Sequence, residues 1–544
     1  MKNNMNRVIC LVLATIFLIS TNVFALKTNN NIAQNDNEVN TVTRFIENQF
    51  KNYESKTTFS EQDDIDPLVD LAVTVTIKDI RALGKIDLVG NPDFYVKIFI
   101  NGVEHTSSIW HNQKYVKPNW SVTQDVPDDK EFVNITIQLW DRGPVGSKLC
   151  DISPTGQGAT NTDDYDVDLM YSLKSGHWTG DDYIYPNPLI FDPSGYGRLN
   201  GCDDNSIYQN DRDCELLFDI TQNDYDGDGI PYWTEVNVFC TDPTIDNRGW
   251  DNDSDCVPIE WEFKWGHYFS YDWHHNEVED KWIYDPFVWD DHRHLDPDED
   301  GLDNVEEYLA SQWGSDPFRK DIFIEIDQMA IGPNGEGEFL PELSKDLLID
   351  AFSKHNIALH IDDGCMGGGE MIPYDNSTTD EELQNLYFNY FLDGNANNWR
   401  RGAFHYCLII YHSARYPGFV FETTVHGENY RLDSLQISTK QHRKLPLNNK
   451  YLYKVCNPLI YKSFNRKYQK AVVYAGAIMH ETGHILGIFN WNIPGADNFD
   501  QKYRNYRSCM NYRYVYLVVD YSDGSRGKND FDDWDFIDLT LFQK

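Results

Sequence analysis

The chain has 544 residues, 41% of them hydrophobic, with 87 acidic against 46 basic side chains and a formal net charge of -41. That length calls for about three or four domains. A field of that sign repels nucleic acid and anionic membrane surfaces, so neither is an expected partner.

Residues 1–25 read as a secretory signal. Lys2 and Arg7 supply positive charge, Val8 to Ile19 an apolar core, and Val23-Phe24-Ala25 a small-residue cleavage site. An exported, secreted protein is the expectation, and export permits disulfides. Cys10 lies in the signal; Cys202 with Cys214 and Cys240 with Cys256 are local pairs by spacing. Cys365, Cys407, Cys456 and Cys509 are candidates for bridges near the C-terminus, which leaves Cys150 over. Residues 26–67 are polar and form a spacer or a pro-segment.

From 68 to 213 the chain alternates apolar and polar residues. Leu71–Ile77, Phe94–Ile100 and Phe132–Trp140 are predicted strands separated by turn-rich stretches, the pattern of an antiparallel β-sandwich. Asp87 and Asp93 fall in the first loop, Lys117-Pro118-Asn119-Trp120 precedes a strand, and Leu139-Trp140-Asp141-Arg142 closes another. With those residues the segment resembles a C2 domain. The resemblance implies calcium held by Asp87, Asp93 and Asp141; Gly143 stands where a further Asp is expected. A sandwich with acidic loops and no ion is the alternative.

Residues 214–318 are acidic and aromatic, and one spacing occurs three times. Asp224, Asp226, Asp228, Ile230 and Glu235 occupy positions 1, 3, 5, 7 and 12 of the first loop. Asp251, Asp253, Asp255, Val257 and Glu262 do so in the second, and Asp296, Asp298, Asp300, Leu302 and Glu307 in the third. Carboxylates at positions 1, 3, 5 and 12, with a backbone carbonyl at 7, wrap one hard cation such as Ca2+. No helix is predicted to enter these loops, and Pro231 and Pro258 interrupt the exit. The loops resemble thrombospondin type 3 calcium repeats, with Cys256 in place of the turn glycine of the second. A structural role follows, stiffening the joint between the domains on either side. His267, His274, His275, His292 and His294 lie nearby and are read as packed, hydrogen-bonded rings.

Residues 319–544 alternate strands and helices. Asp321–Asp327, Ile357–Ile361 and Ala403–Tyr411 are strand-like, and Glu342–Lys354 and Gln469–Leu486 are helical, which predicts an α/β domain with a mostly parallel sheet. Met366-Gly367-Gly368-Gly369-Glu370 lacks the Lys and hydroxyl of a phosphate loop and is read as a turn.

The second helix carries His480-Glu481-Thr482-Gly483-His484, followed by Gly487. Imidazoles at i and i+4 share one helix face, so both reach one metal ion, and the carboxylate between them can serve as a general base. Downstream stands Ser508-Cys509-Met510-Asn511-Tyr512. Together these residues resemble the metzincin zinc peptidases. The resemblance implies His480 and His484 as zinc ligands, Glu481 as base, Met510 beneath the metal and Tyr512 beside the transition state. Its third-ligand position holds Asn490, a poor donor beside imidazole or carboxylate. Three outcomes stay open: Asn490 ligates weakly, Asp497 or Asp500 reaches in from the following loop, or the site is degenerate. The expectation is a secreted, calcium-stabilised zinc endopeptidase acting on a protein or peptide substrate. The competing reading is an extracellular calcium-binding adhesion protein with a relict metal site.

Overall fold

The computed structural model describes residues 65–541, apart from 88–89, 145, 154–164, 182–196, 203–211, 272–276, 415–417, 426–427 and 443–465. The signal and the spacer predicted for residues 1–64 lie outside the described residues. None of the described helices is long and apolar enough to cross a membrane.

Two antiparallel sheets form the first body. One runs β10 (Gly197–Asn200), β11 (Cys214–Gln222) and β1 (Ala72–Ala82), with β4 (Tyr115–Val116) and β5 (Trp120–Asp125) both pairing β1. The other runs β3 (Val103–Thr106), β2 (Phe94–Ile100), β6 (Phe132–Gly143), β8 (Val167–Ser172) and β9 (Trp178–Gly180), with β7 (Gly146–Leu149) on β6. Burial alternates residue by residue along β2 and β6, so every second side chain points inward. Val73, Val75, Leu216 and Phe218 of one sheet share a core with Val96, Ile98, Ile135 and Leu139 of the other. A single core between two sheets is what makes this a sandwich. β11 pairs β1 along its length, so the sandwich continues to Gln222, past the boundary at 213 that composition suggested.

The acidic region follows directly and includes the antiparallel pair β12 (His267–Tyr271) and β13 (Glu277–Trp282); His274 and His275 lie outside the described residues. Pro231 and Pro258 do not interrupt its exit helices; each stands at the N-terminal cap, the helices being Tyr232–Thr234 and Ile259–Gly266. Proline lacks an N–H, and the first helical turn leaves N–H groups without intrahelical partners, so it is tolerated there. The third loop leads into the helix Asn304–Ala310, capped by Asp303.

The second body is built on a mixed sheet in the order β15 (Ala358–Asp362), β14 (Asp321–Met329), β17 (Phe404–Ile410), β19 (Glu428–Ser438) and β18 (Gly418–Val425), with β16 (Met371–Ile372) also on β14. All pairs are parallel except the last, where β18 runs antiparallel to β19 at the edge. β14 and β17 are buried almost throughout, as expected of strands covered on both faces. On one face Ile322, Ile324, Cys407 and Ile437 meet the helices Glu342–Ser353 and Arg466–Ile485. On the other, Phe323, Tyr406 and Leu408 meet Leu383, Tyr387 and Phe391.

The two bodies touch through the helix Glu342–Ser353. Asp350 accepts hydrogen bonds from Arg81 and Tyr115 at 3.1 and 2.7 Å and pairs with Lys114, and Asn200 donates to the Ser353 carbonyl at 2.7 Å. Thus the sandwich braces the back of the layer that carries the histidines.

Among the cysteines, Cys240 is disulfide-bonded but not to Cys256, which is an exposed free thiol. Cys214 hydrogen-bonds with Cys150, and Cys202 and Cys214 form no disulfide. Cys365, Cys407 and Cys509 are free thiols as well, so the local pairs expected from spacing are not made. Cys456 lies outside the described residues.

Candidate metal centre

The helix Arg466–Ile485 presents Tyr474, Ala475, Ile478 and Met479 to the core, which fixes its rotation. His480 and Glu481 are then buried and His484 half-buried at one end of the sheet. The helix stops where Gly487 takes φ +95°, and the Ile488 amide closes back on the Gly483 carbonyl at 2.8 Å.

His480 Nδ1 donates to the Cys509 carbonyl at 2.9 Å, and His484 Nδ1 donates to the Ile488 carbonyl at 2.7 Å. Each of these bonds fixes the tautomer and leaves Nε2 with its lone pair outward. Both Nε2 atoms face one oxygen: Asp497 Oδ1, 3.3 Å from His480 and 3.4 Å from His484. That oxygen is buried and has no hydrogen-bond partner. Donors about 2.0–2.1 Å from one zinc ion at tetrahedral corners lie about 3.4 Å apart, the spacing of Asp497 Oδ1 from each imidazole, and all three atoms lie within 4.8 Å of one another.

Of the candidate third ligands, the structure brings Asp497 to the site. Asn490 is exposed to solvent. Asp500 is exposed and instead caps the turn Gln501–Tyr503, accepting from the Lys502 amide at 3.2 Å. Asp497 adopts φ +51°, and its amide donates to the Met510 carbonyl at 3.0 Å. Asp is among the few residues that tolerate that backbone, and strain of this kind gathers at functional sites. Burial alone would raise its carboxyl, but the two imidazoles hold it well below the usual carboxylate range.

Met510 is fully buried, and a Cβ at Gly483 would overlap its sulfur. Gly483 therefore lets the Met510 turn press against the helix between the histidines. Gly476, two turns earlier, does the same against the Val515 carbonyl; in the sequence it reads only as an apolar neighbour. Tyr512 lies over His480 with ring centroids 5.4 Å apart, and burial together with Asp497 pushes its phenol up. Burial also raises the Glu481 carboxyl, against the pull of both histidines. Beside it, Gly418 at the start of β18 comes so close that any Cβ there would overlap Glu481 Oε1.

In each acidic loop the carboxylates at positions 1, 3 and 5 lie within 4.8 Å of one another. The same bonds recur in all three. Position 1 accepts from the amide of position 6 at 3.0, 3.2 and 2.9 Å, and position 5 from the amide of position 7 at 2.8, 3.3 and 2.8 Å. Position 6 has φ of +93°, +91° and +96°, so Cys256 copies a glycine backbone. Burial and neighbouring acids push Glu235 up to about 8 and Glu262 up to about 9, and raise Glu307 well above its ordinary range.

In the sandwich, Asp141 accepts from the Asp93 amide at 2.9 Å and Asp93 from the Asn112 amide at 2.6 Å. Both carboxylates are thus engaged in shaping loops, with Asp87 near enough to Asp141 to help raise its carboxyl after burial.

No protein-family model and no curated protein matches the chain. Among solved structures, a C2 domain is similar at 13% identity over 28% of this chain and 98% of its own, with a TM-score of 0.17. A C2-type domain of a plant Extended Synaptotagmin 1 is similar at 15% identity over 27% and 94%, with a TM-score of 0.15. Human GIVD cytosolic phospholipase A2 is similar at 13% identity; 28% of this chain covers 16% of that one, with a TM-score of 0.18.

Proposed function

We propose that the protein is a secreted, calcium-stabilised zinc endopeptidase of metzincin type. The observation that carries this reading is the convergence of His480 Nε2, His484 Nε2 and the orphaned Asp497 Oδ1 beside a buried Glu481. When bound, zinc at that point supplies Lewis acidity, polarising a carbonyl and acidifying water. Glu481 takes the proton of the attacking water and returns it to the leaving amine; its raised carboxyl suits both transfers. The Tyr512 hydroxyl donates to the oxyanion. β18 is the antiparallel edge of the sheet and starts against Glu481, so an extended peptide pairing with that edge has its scissile bond at the base. Asp497 supports this reading over a relict site, because it offers a carboxylate where Asn490 offers only a neutral oxygen.

The test is metal analysis of the purified chain together with casein cleavage, with and without chelator. One equivalent of zinc that is lost in His480→Ala/His484→Ala and chelator-sensitive cleavage are expected, and Glu481→Gln should keep that zinc while losing turnover. A chain that holds no zinc when it is supplied in excess, or cleavage that survives in Glu481→Gln, overturns the reading.

A further inference from the structure

Besides Cys256, the second acidic loop departs from the other two in what faces its last carboxylate. In the first, Glu235 accepts from Asn247 Nδ2 at 3.2 Å and Thr241 Oγ1 at 3.0 Å. In the third, Glu307 accepts from Ser315 Oγ. In the second, Glu262 is fully buried and neither of its oxygens has a hydrogen-bond partner. An imidazole occupies the place of those donors. His292 is also fully buried; its Nε2 lies 3.1 Å from Asp255 Oδ2 and 3.9 Å from Glu262 Oε1, with no hydrogen-bond partner. Both oxygens of Asp253, on the same loop, are likewise buried and without partners.

The segment that delivers His292 is clamped to the loop. The Asp290 amide donates to Asp255 Oδ2 at 3.2 Å, and Arg293 reaches Cys256 Sγ at 3.2 Å. Trp261 and Tyr284 wall the imidazole in, with ring centroids 5.8 and 5.0 Å away. The Asn304 side-chain amide sits 2.9 Å from His292 Nδ1, and its Oδ1 is buried without a partner. Turning that amide end for end gives Oδ1 the Nδ1 proton and leaves the Nε2 lone pair aimed at Asp255 and Glu262.

Calcium is a hard ion that takes oxygen donors, whereas imidazole suits the first-row transition metals. We propose that Asp253, Asp255, Glu262 and His292 form a mixed nitrogen–oxygen site for a transition-metal dication, between two loops that take calcium. The inference rests on reading the loops as cation sites and is independent of the peptidase reading.

The experiment measures Co2+ bound by the chelator-stripped full chain in excess calcium, by metal analysis and visible absorption. Two Co2+ per chain are expected, one in the loop and one at His480 and His484. The His480→Ala/His484→Ala variant should keep one, and its cobalt-edge absorption spectrum should carry an imidazole signature. His292→Asn, which supplies the kind of donor Asn247 gives the first loop, should lose one Co2+ and gain one Ca2+. No Co2+ in the His480→Ala/His484→Ala protein, an all-oxygen shell there, or unchanged cobalt capacity in His292→Asn overturns the proposal. A wild type that binds one Co2+ and keeps it in His480→Ala/His484→Ala supports the loop site and counts against the catalytic one.

Discussion

The acidic loops and the histidine centre gather donors around a point by opposite means. Each loop draws its carboxylates from twelve consecutive residues, locked by the same two amide bonds three times over. The histidine centre takes two donors from one helix and the third from Asp497, across a loop held by the Met510 carbonyl. Local sites assemble wherever the chain makes the turn. The histidine site exists only if the helix, its glycine stop and the Met510 turn are all packed.

The largest expected effect tests that dependence. Asp497→Ala should cut peptide cleavage by more than about 100-fold, since even partners of metal ligands are worth about 10–100-fold. Asn490→Ala, at a solvent-exposed position, should change kcat/KM by less than about twofold. Steady-state kinetics beside zinc content checks both. Equal losses in the two variants would return the third ligand to Asn490.

On the loop side, the third loop is the more deeply built. Asp300 accepts from the Asp321 amide at 2.6 Å, so this loop also anchors the start of β14. Asp298 is buried, whereas Asp226 of the first loop is half-exposed. Each tenfold loss of calcium affinity costs about 1.4 kcal/mol of linked stability. Asp298→Asn should therefore lower the melting temperature in saturating calcium more than Asp226→Asn does. In calcium-free buffer with zinc held constant, both differences should shrink.

What the sequence disclosed follows the same division. The convergence of the loop carboxylates was legible because their spacing places them within one turn. Strands β2 and β6 were legible from strict alternation, and β14 from its run of isoleucines. Asp497 was legible only as one of three open choices, because its place depends on a left-handed backbone and on contact with residues thirteen positions further on. His292 reads as a packed ring because nothing in its own neighbourhood says that it folds back onto a loop ending thirty residues earlier. β18 and β19 were not legible because their polar residues carry no clear period.

The packing of the histidine centre has its own test. Gly483→Ala places a methyl group into the buried Met510 sulfur. Overpacking of this kind typically costs about 1–3 kcal/mol. The variant should unfold earlier and bind zinc more weakly, while calcium binding by the loops stays unchanged. Loss of calcium in the same variant would mean that the two regions do not form independently.

The smallest effect comes from acids that need no ion at all. Glu325 is buried on β14 and accepts from Arg400 Nε at 2.8 Å, while Arg400 also reaches Asp362 at 2.6 Å. Burial pushes Glu325 up to about 8, from an ordinary value of 4.5, although Arg400 pulls the other way. A carboxyl raised by folding binds its proton more tightly in the native state, so its contribution is intact below the unfolded value and is lost as pH rises through the folded one. Glu325→Gln should therefore flatten the decline of melting temperature between about pH 5 and 8. The flattening should be the same with or without chelator, because the Arg400 guanidinium is the cation that faces this carboxylate. A chelator-dependent difference between wild type and Glu325→Gln would tie this cluster to the metal sites and erase the distinction between resident and recruited charge.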